Sequence, residues 1–202
     1  MRNLAFVILA LFTLSSLVLL SCKEDDPSPL QDMKVDLENL SGTYMDLQPY
    51  AYGEAFGQRV FTFDQGQWTL TFTLGLDPNL EIPVFEFRTH GSYEVLEPST
   101  TVENAFNAVF GEDQKFLTLK TDHPELIEAF GFTSCGLTPQ VEKDISLDGC
   151  SLWKSVQDCP ADYDLLSLDQ QGRLYFGVRP ADNDMCSVDK RPLALTPAVD
   201  KL

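Results

Sequence analysis

The most constraining feature of this sequence is a strict two-residue alternation across residues 67–74. One phase of the alternation is apolar and contains Trp68, Leu70, Phe72 and Leu74, whereas the other contains glutamine and threonine. Because successive side chains of a β-strand point to opposite faces, this segment predicts a strand with one buried and one solvated face. A half-buried strand needs partner strands, so the chain is expected to form a sheet.

Similar short alternating stretches recur along most of the chain, and no long amphipathic helical pattern interrupts them. The predicted strands are 42–47, 59–64, 67–74, 84–90, 105–110, 115–120, 163–168 and 173–178. The strand at 84–90 is expected to continue past a bend or bulge through Gly91, Tyr93 and Val95. This count of about eight or nine strands predicts an all-β, mainly antiparallel fold in which the strands form a single β-barrel.

Turn residues predict three hairpins and one short helix. The hairpin turns are residues 64–67, 111–113 and 169–172, each with a glycine where a positive φ is useful. The helix is predicted to begin at Pro124, with Asp122 or His123 as its cap, and to stop at Gly131.

The amino terminus has the pattern of an export signal. Arg2 precedes an apolar run over residues 4–20, and Leu-Leu-Ser-Cys follows at residues 19–22. This arrangement predicts a signal peptide over residues 1–21, with a transmembrane helix as the alternative. The tetrapeptide resembles the lipobox of bacterial lipoproteins, which implies lipidation of Cys22 and attachment to a membrane.

The remaining chain is predicted to divide into three parts: residues 22–39 as the lipidated Cys and an acidic tether, 40–195 as the barrel domain, and 196–202 as a C-terminal tail. The acidic run Glu24-Asp25-Asp26 resembles a surface-export signal of lipoproteins in some didermal bacteria, with a plain solvated tether as the alternative. We therefore expect a lipid-anchored protein at the outer membrane or cell surface, or otherwise facing the periplasm.

The charge balance excludes one class of partner. The chain has 14 Lys and Arg against 31 Asp and Glu, for a formal net charge of −17. Binding to a nucleic-acid backbone depends on clustered basic residues, so no nucleic-acid partner is expected.

Four cysteines remain when Cys22 is set aside as the anchor. In an exported chain, Cys135, Cys150, Cys159 and Cys186 predict two disulfides, and three pairings are possible. The register of the last predicted hairpin brings residue 159 near residue 186, which favours Cys159–Cys186 and Cys135–Cys150. Zinc binding is the alternative, but the chain has no Cys-x-x-Cys and only two histidines.

The motifs of common enzyme classes are absent from the sequence, so neither catalysis nor a cofactor is expected. There is no Gly-x-Ser-x-Gly, phosphate-binding glycine loop or His-Glu-x-x-His. Paired carboxylates of a glycosidase cannot be singled out among so many acids. The segment Asp182-Asn183-Asp184 has side chains of the kind that bind calcium. A turn in which these side chains bond their own backbone explains the sequence better, so no metal is expected.

Large aromatic side chains are abundant, with 14 Phe, 6 Tyr and 2 Trp. They are compatible with an ordinary filled core or with an apolar cavity that holds a ligand. The candidate ligand-binding residues share the apolar phase of consecutive strands: Phe61, Phe63, Trp68, Leu70, Phe72, Phe85, Phe87 and Tyr93.

Several short motifs occur in a characteristic order. They are Gly42-Thr43-Tyr44, Arg59-Val60-Phe61-Thr62-Phe63, Trp68, residues 83–93, Cys135-Gly136, Asp148-Gly149-Cys150, Tyr163, Gly172-Arg173-Leu174-Tyr175-Phe176, Arg179-Pro180 and Arg191-Pro192. Together they span residues 40–193. These motifs and their order resemble those in the domain of the adenomatosis polyposis coli down-regulated family. The animal members of that family are cell-surface Wnt inhibitors.

The resemblance implies a non-catalytic β-barrel, which in some members has a hydrophobic pocket for lipid. The departures are clear. Residues 46–56 lack the early Cys of the animal domains, Cys159 and Cys186 look like additions, and the animal proteins have two domains and a transmembrane anchor. Wnt inhibition is therefore not carried over.

Taken together, these patterns predict a lipid-anchored envelope or cell-surface β-barrel lipoprotein that binds a lipid or other apolar ligand without catalysis. A lipocalin-like carrier is one alternative, which Gly42-Thr43-Tyr44 also suggests. A structural or adhesive envelope lipoprotein with a filled core is another, and an enzyme acting on an envelope glycan through paired carboxylates is the least favoured. The sequence identifies no protein partner.

Overall fold

The computed structural model describes residues 29–202, in which strands dominate. The strands are β1 Gly42–Met45, β2 Tyr50–Tyr52, β3 Ala55–Asp64, β4 Gln67–Gly75, β5 Pro83–Pro98, β6 Phe106–Gly111, β7 Gln114–Leu119, β8 Lys143–Asp144, β9 Ala161–Leu168, β10 Leu174–Phe176 and β11 Asp200–Lys201. The α-helices are α1 Pro29–Glu38 and α2 Pro124–Ala129, and short 3₁₀ helices cover Thr133–Cys135 and Val188–Lys190. None of the helices in this part of the chain is long and apolar enough to cross a membrane. The predicted signal peptide and Cys22 lie outside the described residues.

The strands form one antiparallel sheet that nearly closes on itself. Its main path has the order β10-β9-β6-β5-β4-β3-β1-β11. The two ends of this path meet where Leu174 of β10 exchanges backbone hydrogen bonds with Val199, at N–O distances of 3.0 and 2.8 Å. The predicted antiparallel β-barrel is confirmed.

Two of the three predicted hairpins are confirmed. Asp64 lies opposite Gln67 between β3 and β4, and Leu168 lies opposite Leu174 between β9 and β10. The prediction of a third hairpin, between β6 and β7, is wrong, because these two strands do not pair with each other. β6 pairs with β5 and β9, whereas β7 pairs with β5 and β8. The reason is the length of β5, whose 16 residues leave room for both strands end to end along one edge.

Gly91 lies where β5 changes from one of these partners to the other. His90 pairs with Gln114 of β7, and Tyr93 pairs with Phe110 of β6. The connection between β6 and β7 passes so close that a Cβ atom at Gly91 would overlap the carbonyl oxygen of Gly111. The indole of Trp68 donates a hydrogen bond of 2.9 Å to that same oxygen. A glycine is therefore required at this crossing.

The prediction of an acidic tether over residues 22–39 is wrong from residue 29 onward, because helix α1 packs against the barrel. Leu30, Met33 and Leu37 recur at helical spacing, and Leu37 is fully buried. The hydroxyl of Tyr93 donates to the Leu37 carbonyl at 3.0 Å and accepts from the Leu40 amide at 3.2 Å. This helix closes the end of the barrel next to the β3–β4 turn.

The predicted C-terminal tail, 196–202, is also part of the barrel. Val199 is fully buried, and β11 pairs with β1 through Tyr44 and Lys201. These residues belong to the barrel because they supply the backbone partners that β1 and β10 otherwise lack.

The buried apolar residues form two clusters. The base cluster, at the end closed by α1, contains Leu37, Leu40, Tyr44, Phe61, Phe63, Trp68, Leu70, Val95, Phe106, Ala108, Phe110, Leu166, Leu174, Phe176 and Val199. The upper cluster contains Ala55, Leu74, Val84, Phe85, Phe87, Leu117, Leu119, Phe132, Ile145 and Cys150. Segments around α2 and the 3₁₀ helix at Thr133–Cys135 pack against the upper cluster.

Both predicted disulfides are confirmed with the pairing that the hairpin register favoured. Cys135 is bonded to Cys150, and Cys159 is bonded to Cys186. The zinc alternative is wrong for these four cysteines, because none of them keeps a free thiolate. The predicted helix is also confirmed, with Gly131 in a left-handed conformation just after it (φ 72°).

Candidate functional site

Charged side chains interrupt the apolar inner face of the barrel. On β3, Arg59 occupies the same phase as Phe61 and is buried like it. On β9, Asp162 and Asp164 lie opposite Phe110 and Ala108, which are residues of the base cluster. Both strands therefore direct ionisable groups into the barrel, where water is scarce and each charge needs a partner.

Arg59 and Asp46 form a buried ion pair with bidentate geometry. Nε and Nη2 of Arg59 donate to the two carboxylate oxygens at 3.0 and 2.7 Å, and the Arg59 amide donates to the same carboxylate at 2.7 Å. The guanidinium also donates to Thr196 Oγ1 at 2.6 Å and to the Pro197 carbonyl at 2.9 Å. Arg59 thus joins β3 to the segment that closes the barrel, and it lies 4.6 Å from the ring centre of Tyr50.

A second group of buried charges continues from β9. Arg179 forms a close ion pair with Asp162 and donates to Asn183 at 2.8 Å. One carboxylate oxygen of Asp164 accepts the amides of Leu165 and Gly177 at 2.7 and 2.9 Å. These bonds tie the end of the β9–β10 hairpin to the inside of the barrel.

Glu112 and Lys115 complete the charged set. Their side chains are 2.6 Å apart, and the ammonium also donates to the carbonyls of Lys154 and Cys159, both at 3.1 Å. We call the whole set the ionic layer: Asp46, Arg59, Glu112, Lys115, Asp162, Asp164 and Arg179. Both Arg59 and Arg179 lower the pKa of Tyr50 electrostatically, against the effect of its burial.

Burial in this layer changes the protonation of its groups. Burial raises the pKa of Asp164 to about 7, although Arg179 opposes the shift. Burial and the nearby charge of Asp162 raise the pKa of Glu112, with Lys115 acting in the opposite direction. Burial also raises the pKa of Tyr50 to about 12 against the attraction of Arg59. Asp164 and Glu112 therefore keep their protons to higher pH in the folded state than in the unfolded chain.

We expect the stability of the protein to fall as the pH rises from about 5 to 8. A carboxyl group whose pKa is raised by folding stabilises the folded state below its unfolded pKa and loses that contribution as the pH passes its folded pKa. The loss attributable to Asp164 is roughly 2–3 kcal/mol in this window. Urea unfolding at several pH values measures it. Asp164→Asn keeps the oxygen that accepts two amides and is expected to flatten the profile; a wild-type profile that is level or rising contradicts the assignment.

A row of aromatic rings leads from the upper cluster to the surface at the end of the barrel where β2 and the β4–β5 loop lie. Successive ring centres are 6.1 Å apart from Phe85 to Phe72, 5.6 Å from Phe72 to Tyr52 and 6.0 Å from Tyr52 to Tyr50. Tyr50 and Phe72 are half-buried, and Tyr52 is 37% exposed. We call Tyr50, Tyr52, Phe72 and Phe85 the rim rings, because their apolar surface continues from the interior to solvent.

The loop between β4 and β5 adds exposed apolar residues at the same end of the barrel. Leu76 and Ile82 are joined by a backbone hydrogen bond of 3.0 Å, and both side chains are largely exposed. Opposite this end, α1 covers the base cluster. The apolar rim therefore lies at the end of the barrel away from α1.

The eight predicted ligand-binding residues share one inner face, but they fall into three groups. Phe61, Phe63, Trp68 and Leu70 belong to the base cluster. Tyr93 packs against that cluster and holds α1. Phe85 and Phe87 belong to the upper cluster, and Phe72 packs against both clusters. Ligand binding by these eight residues stays a prediction.

Rings of the base cluster contact one another. Phe61 stacks on Phe176 with ring centres 3.9 Å apart, and Trp68 meets Phe110 at 4.9 Å. All four side chains are at most 5% exposed. This geometry is typical of a filled core, so the base cluster serves the stability of the barrel.

Sequence reasoning missed the ionic layer although part of its signal was available. Arg59 has the same strand phase as Phe61 and Phe63, and Asp164 has the same phase as Leu166. An ionisable residue in an inward phase predicts a buried charge that needs a partner. The partner Asp46 carried a similar signal, because it lies in the predicted strand 42–47 in the same phase as Tyr44, but no local pattern pairs it with Arg59.

Metal binding does not fit the donors that come together in the ionic layer. Glu112, Cys159 and Asp162 each place a possible ligand atom within 4.8 Å of the others. The sulfur of Cys159 is bonded to Cys186, and the two carboxylates are paired with cations. In the segment Asp182-Asn183-Asp184, the Asp182 carboxylate accepts the Asp184 amide at 3.1 Å, as expected for a turn.

A separate open cleft of about 710 Å³ lies on the surface beside the Cys135–Cys150 disulfide. Its wall includes Lys143, which donates to the Cys135 carbonyl at 2.5 Å, and Lys154, which pairs with Asp184 at 3.1 Å. Both lysines are thus engaged within the protein. Trp153 is the one aromatic residue in the wall of this cleft, whereas the rim has four aromatic rings in a row.

Comparisons with known proteins identify no relatives: the chain matches no protein-family model and no curated protein. The resemblance to the adenomatosis polyposis coli down-regulated family therefore stays a prediction based on the ordered motifs.

Proposed function

We propose that this protein is a lipid-anchored, non-catalytic envelope or cell-surface barrel that binds an apolar ligand at its rim. A barrel-like β fold is compatible with a ligand-binding or carrier protein. The observation that carries the proposal is the row of rim rings, which extends the aromatic interior from buried Phe85 to exposed Tyr52 at the surface.

The proposed ligand lies against the uncovered faces of the rim rings. Tyr52 and Phe72 offer flat apolar surface that is partly exposed to water, so covering it with an alkyl or aromatic group removes apolar area from water. Phe72 leans over Gly57, where a Cβ atom would lie 2.6 Å from its ring. The missing side chain at Gly57 therefore lets the ring lie flat along β3.

Anchoring through Cys22 is the second part of the proposal. Cys22→Ser is expected to leave the protein unprocessed or soluble, because each buried methylene of an acyl chain contributes roughly 0.8 kcal/mol to membrane binding and the acidic segment that follows contributes no apolar surface. Cell fractionation measures the change. Normal processing of the Cys22→Ser variant, with the protein still in the membrane fraction, would rule out the lipid anchor.

Ligand binding is tested with a soluble form that spans residues 23–202. This form keeps every described strand and both disulfides. Native mass spectrometry is expected to show a co-purifying apolar molecule or uptake of an added fatty acid. A clean apo mass and no uptake would favour the alternative of a structural or adhesive protein with a filled core.

Two matched substitutions separate the rim from the base cluster. Phe72→Ala is expected to cost less than about 2 kcal/mol of unfolding free energy, because the ring is only half-buried, but to weaken binding of a fluorescent fatty acid about tenfold. Phe61→Ala is expected to cost roughly 3–5 kcal/mol and leave the affinity unchanged, because its ring is buried in the base cluster. Equal costs with no effect on binding would contradict the proposed site.

A further inference from the structure

We propose that the rim site selects an amphiphile with a cationic head group, such as an alkyl ammonium, over an amphiphile with a carboxylate. The inference rests on the proposed function and adds the class of ligand. It follows from the charges that surround the exposed apolar side chains of the rim.

The rim offers a surface rather than a deep pocket. The ring of Phe72 lies over Gly57 on the inner face of β3, and Tyr50 contacts the guanidinium of Arg59, with 4.6 Å between that group and the ring centre. These side chains fill the barrel beneath the rim. A ligand therefore lies across the rim, and its head group stays at the protein surface.

Three exposed side chains supply apolar surface for the tail of such a ligand. Tyr52, Leu76 and Ile82 are 37%, 40% and 53% exposed. A tail that covers them removes apolar area from water. The class of head group then depends on the charges that lie beside these three residues.

Acidic residues lie beside the exposed apolar side chains. We call them the rim carboxylates: Glu54, Asp77 and Glu81. Glu54 comes two residues after Tyr52, in the turn between β2 and β3. Asp77 and Glu81 are each next to an exposed apolar residue of the β4–β5 loop. Because Phe56 pairs with Gly75 at the ends of β3 and β4, this turn and this loop leave the barrel next to each other.

The segments that form the rim contain no cation to balance these carboxylates. Residues 47–57 and 75–84 have no Lys, Arg or His other than Arg59's neighbours on β3, which begin after this range. Glu54 and Glu81 are exposed, and within residues 29–202 neither of them forms an ion pair. The charge of Arg59 is neutralised by its own buried ion pair. The rim is therefore apolar and negatively charged.

A cationic head group gains two interactions on this surface. The rim carboxylates attract its charge, and the partly exposed ring of Tyr52 attracts a cation through the negative face of its π-system. A carboxylate head group is repelled by both. Fatty acids are therefore expected to bind the same apolar surface with lower affinity.

Three amphiphiles with the same dodecyl tail test the inference: dodecyltrimethylammonium, dodecyl glucoside and dodecanoate. Each is titrated calorimetrically into the wild-type soluble form at low ionic strength, below its micelle concentration. The cation is expected to bind about tenfold more tightly than the uncharged glucoside, and dodecanoate is expected to bind most weakly. Added salt is expected to narrow these differences, because it screens exposed charges.

The double substitution Glu54→Gln with Glu81→Gln removes the two unpaired rim charges. It is expected to abolish most of the preference for the cation and to leave the affinity for the glucoside unchanged. The matched control is Glu94→Gln with Glu103→Gln, which changes the net charge equally on β5 and the β5–β6 loop and is expected to keep the preference. Asp77 is left in place because its carboxylate accepts two backbone amides of the loop.

The outcomes distinguish the inference from the proposed function. Equal affinities for the three amphiphiles, or an equal loss of preference in both double variants, would overturn the cationic class and leave the rim site in place. Binding of none of the three would overturn the rim site and the inference with it. Phe72→Ala is expected to weaken all three alike, because it removes apolar surface and no charge.

Discussion

Asp46→Ala is expected to lower the free energy of unfolding by roughly 3–5 kcal/mol. The substitution removes the carboxylate that accepts three hydrogen bonds from Arg59 and leaves a buried guanidinium without a counter-charge. Since Arg59 also holds Thr196 and Pro197, the closing segment of the barrel is expected to loosen as well. Urea unfolding at pH 7 measures the loss, and hydrogen exchange at Val199 reports the loosening.

Two further substitutions control for this effect. Glu142→Ala breaks an ion pair of similar geometry on the surface and is expected to cost less than about 1 kcal/mol. Asp46→Leu combined with Arg59→Met replaces both charges by apolar groups and is expected to recover most of the stability. An Asp46→Ala variant as stable as the Glu142→Ala variant would show that the pair is not buried in solution.

Gly91→Ala is expected to destabilise the protein by roughly 3 kcal/mol or more. The added methyl would overlap the Gly111 carbonyl oxygen and lie 2.7 Å from its carbon, so backbone rather than a flexible side chain must move. The displacement would also stretch the hydrogen bond from the Trp68 indole. Unfolding measurements and the fluorescence of Trp68 are expected to change together.

Glu94→Ala is the matched control for Gly91→Ala. Glu94 lies on the same strand with its side chain exposed, so its removal is expected to change stability by less than about 0.5 kcal/mol. A Gly91→Ala variant that unfolds at the same denaturant concentration as the Glu94→Ala variant would contradict the close crossing of the two backbones.

Local patterns predicted much of the barrel. The alternation in β4 and the glycine turns at β3–β4 and β9–β10 are each contained within a short window, and they gave the correct strands and two correct hairpins. The spacing of Cys159 and Cys186 about the last hairpin gave the correct disulfides. Such features depend on residues that are close in sequence, so the local pattern of apolar and polar residues predicts them directly.

The remaining features depend on contacts between distant residues. The pairing of β6 and β7 with different parts of β5 follows from the length of β5, which the break at Gly91 concealed. The helical spacing of Leu30, Met33 and Leu37 was masked by the acidic residues between them. Arg59 donates a hydrogen bond to Thr196, which is 137 residues away in sequence. No local pattern therefore reveals that the buried guanidinium has hydrogen-bond partners.

The same distinction applies to the candidate site. Eight inward apolar residues were predicted correctly to share a face, because strand phase determines the face. The buried Arg59–Asp46 ion pair next to them was not predictable from phase alone. Only the pairing with Asp46 makes an inward arginine stable among these apolar residues.

Photo-crosslinking tests most directly the claim that an apolar ligand binds at the rim rings and not in the base cluster. A decanoic acid with a diazirine at the end of its tail is bound to the soluble form, irradiated and located by peptide mass spectrometry. The account predicts adducts on Tyr50, Tyr52 or Phe72. Adducts on Phe61, Trp68 or Phe176 of the base cluster would contradict it.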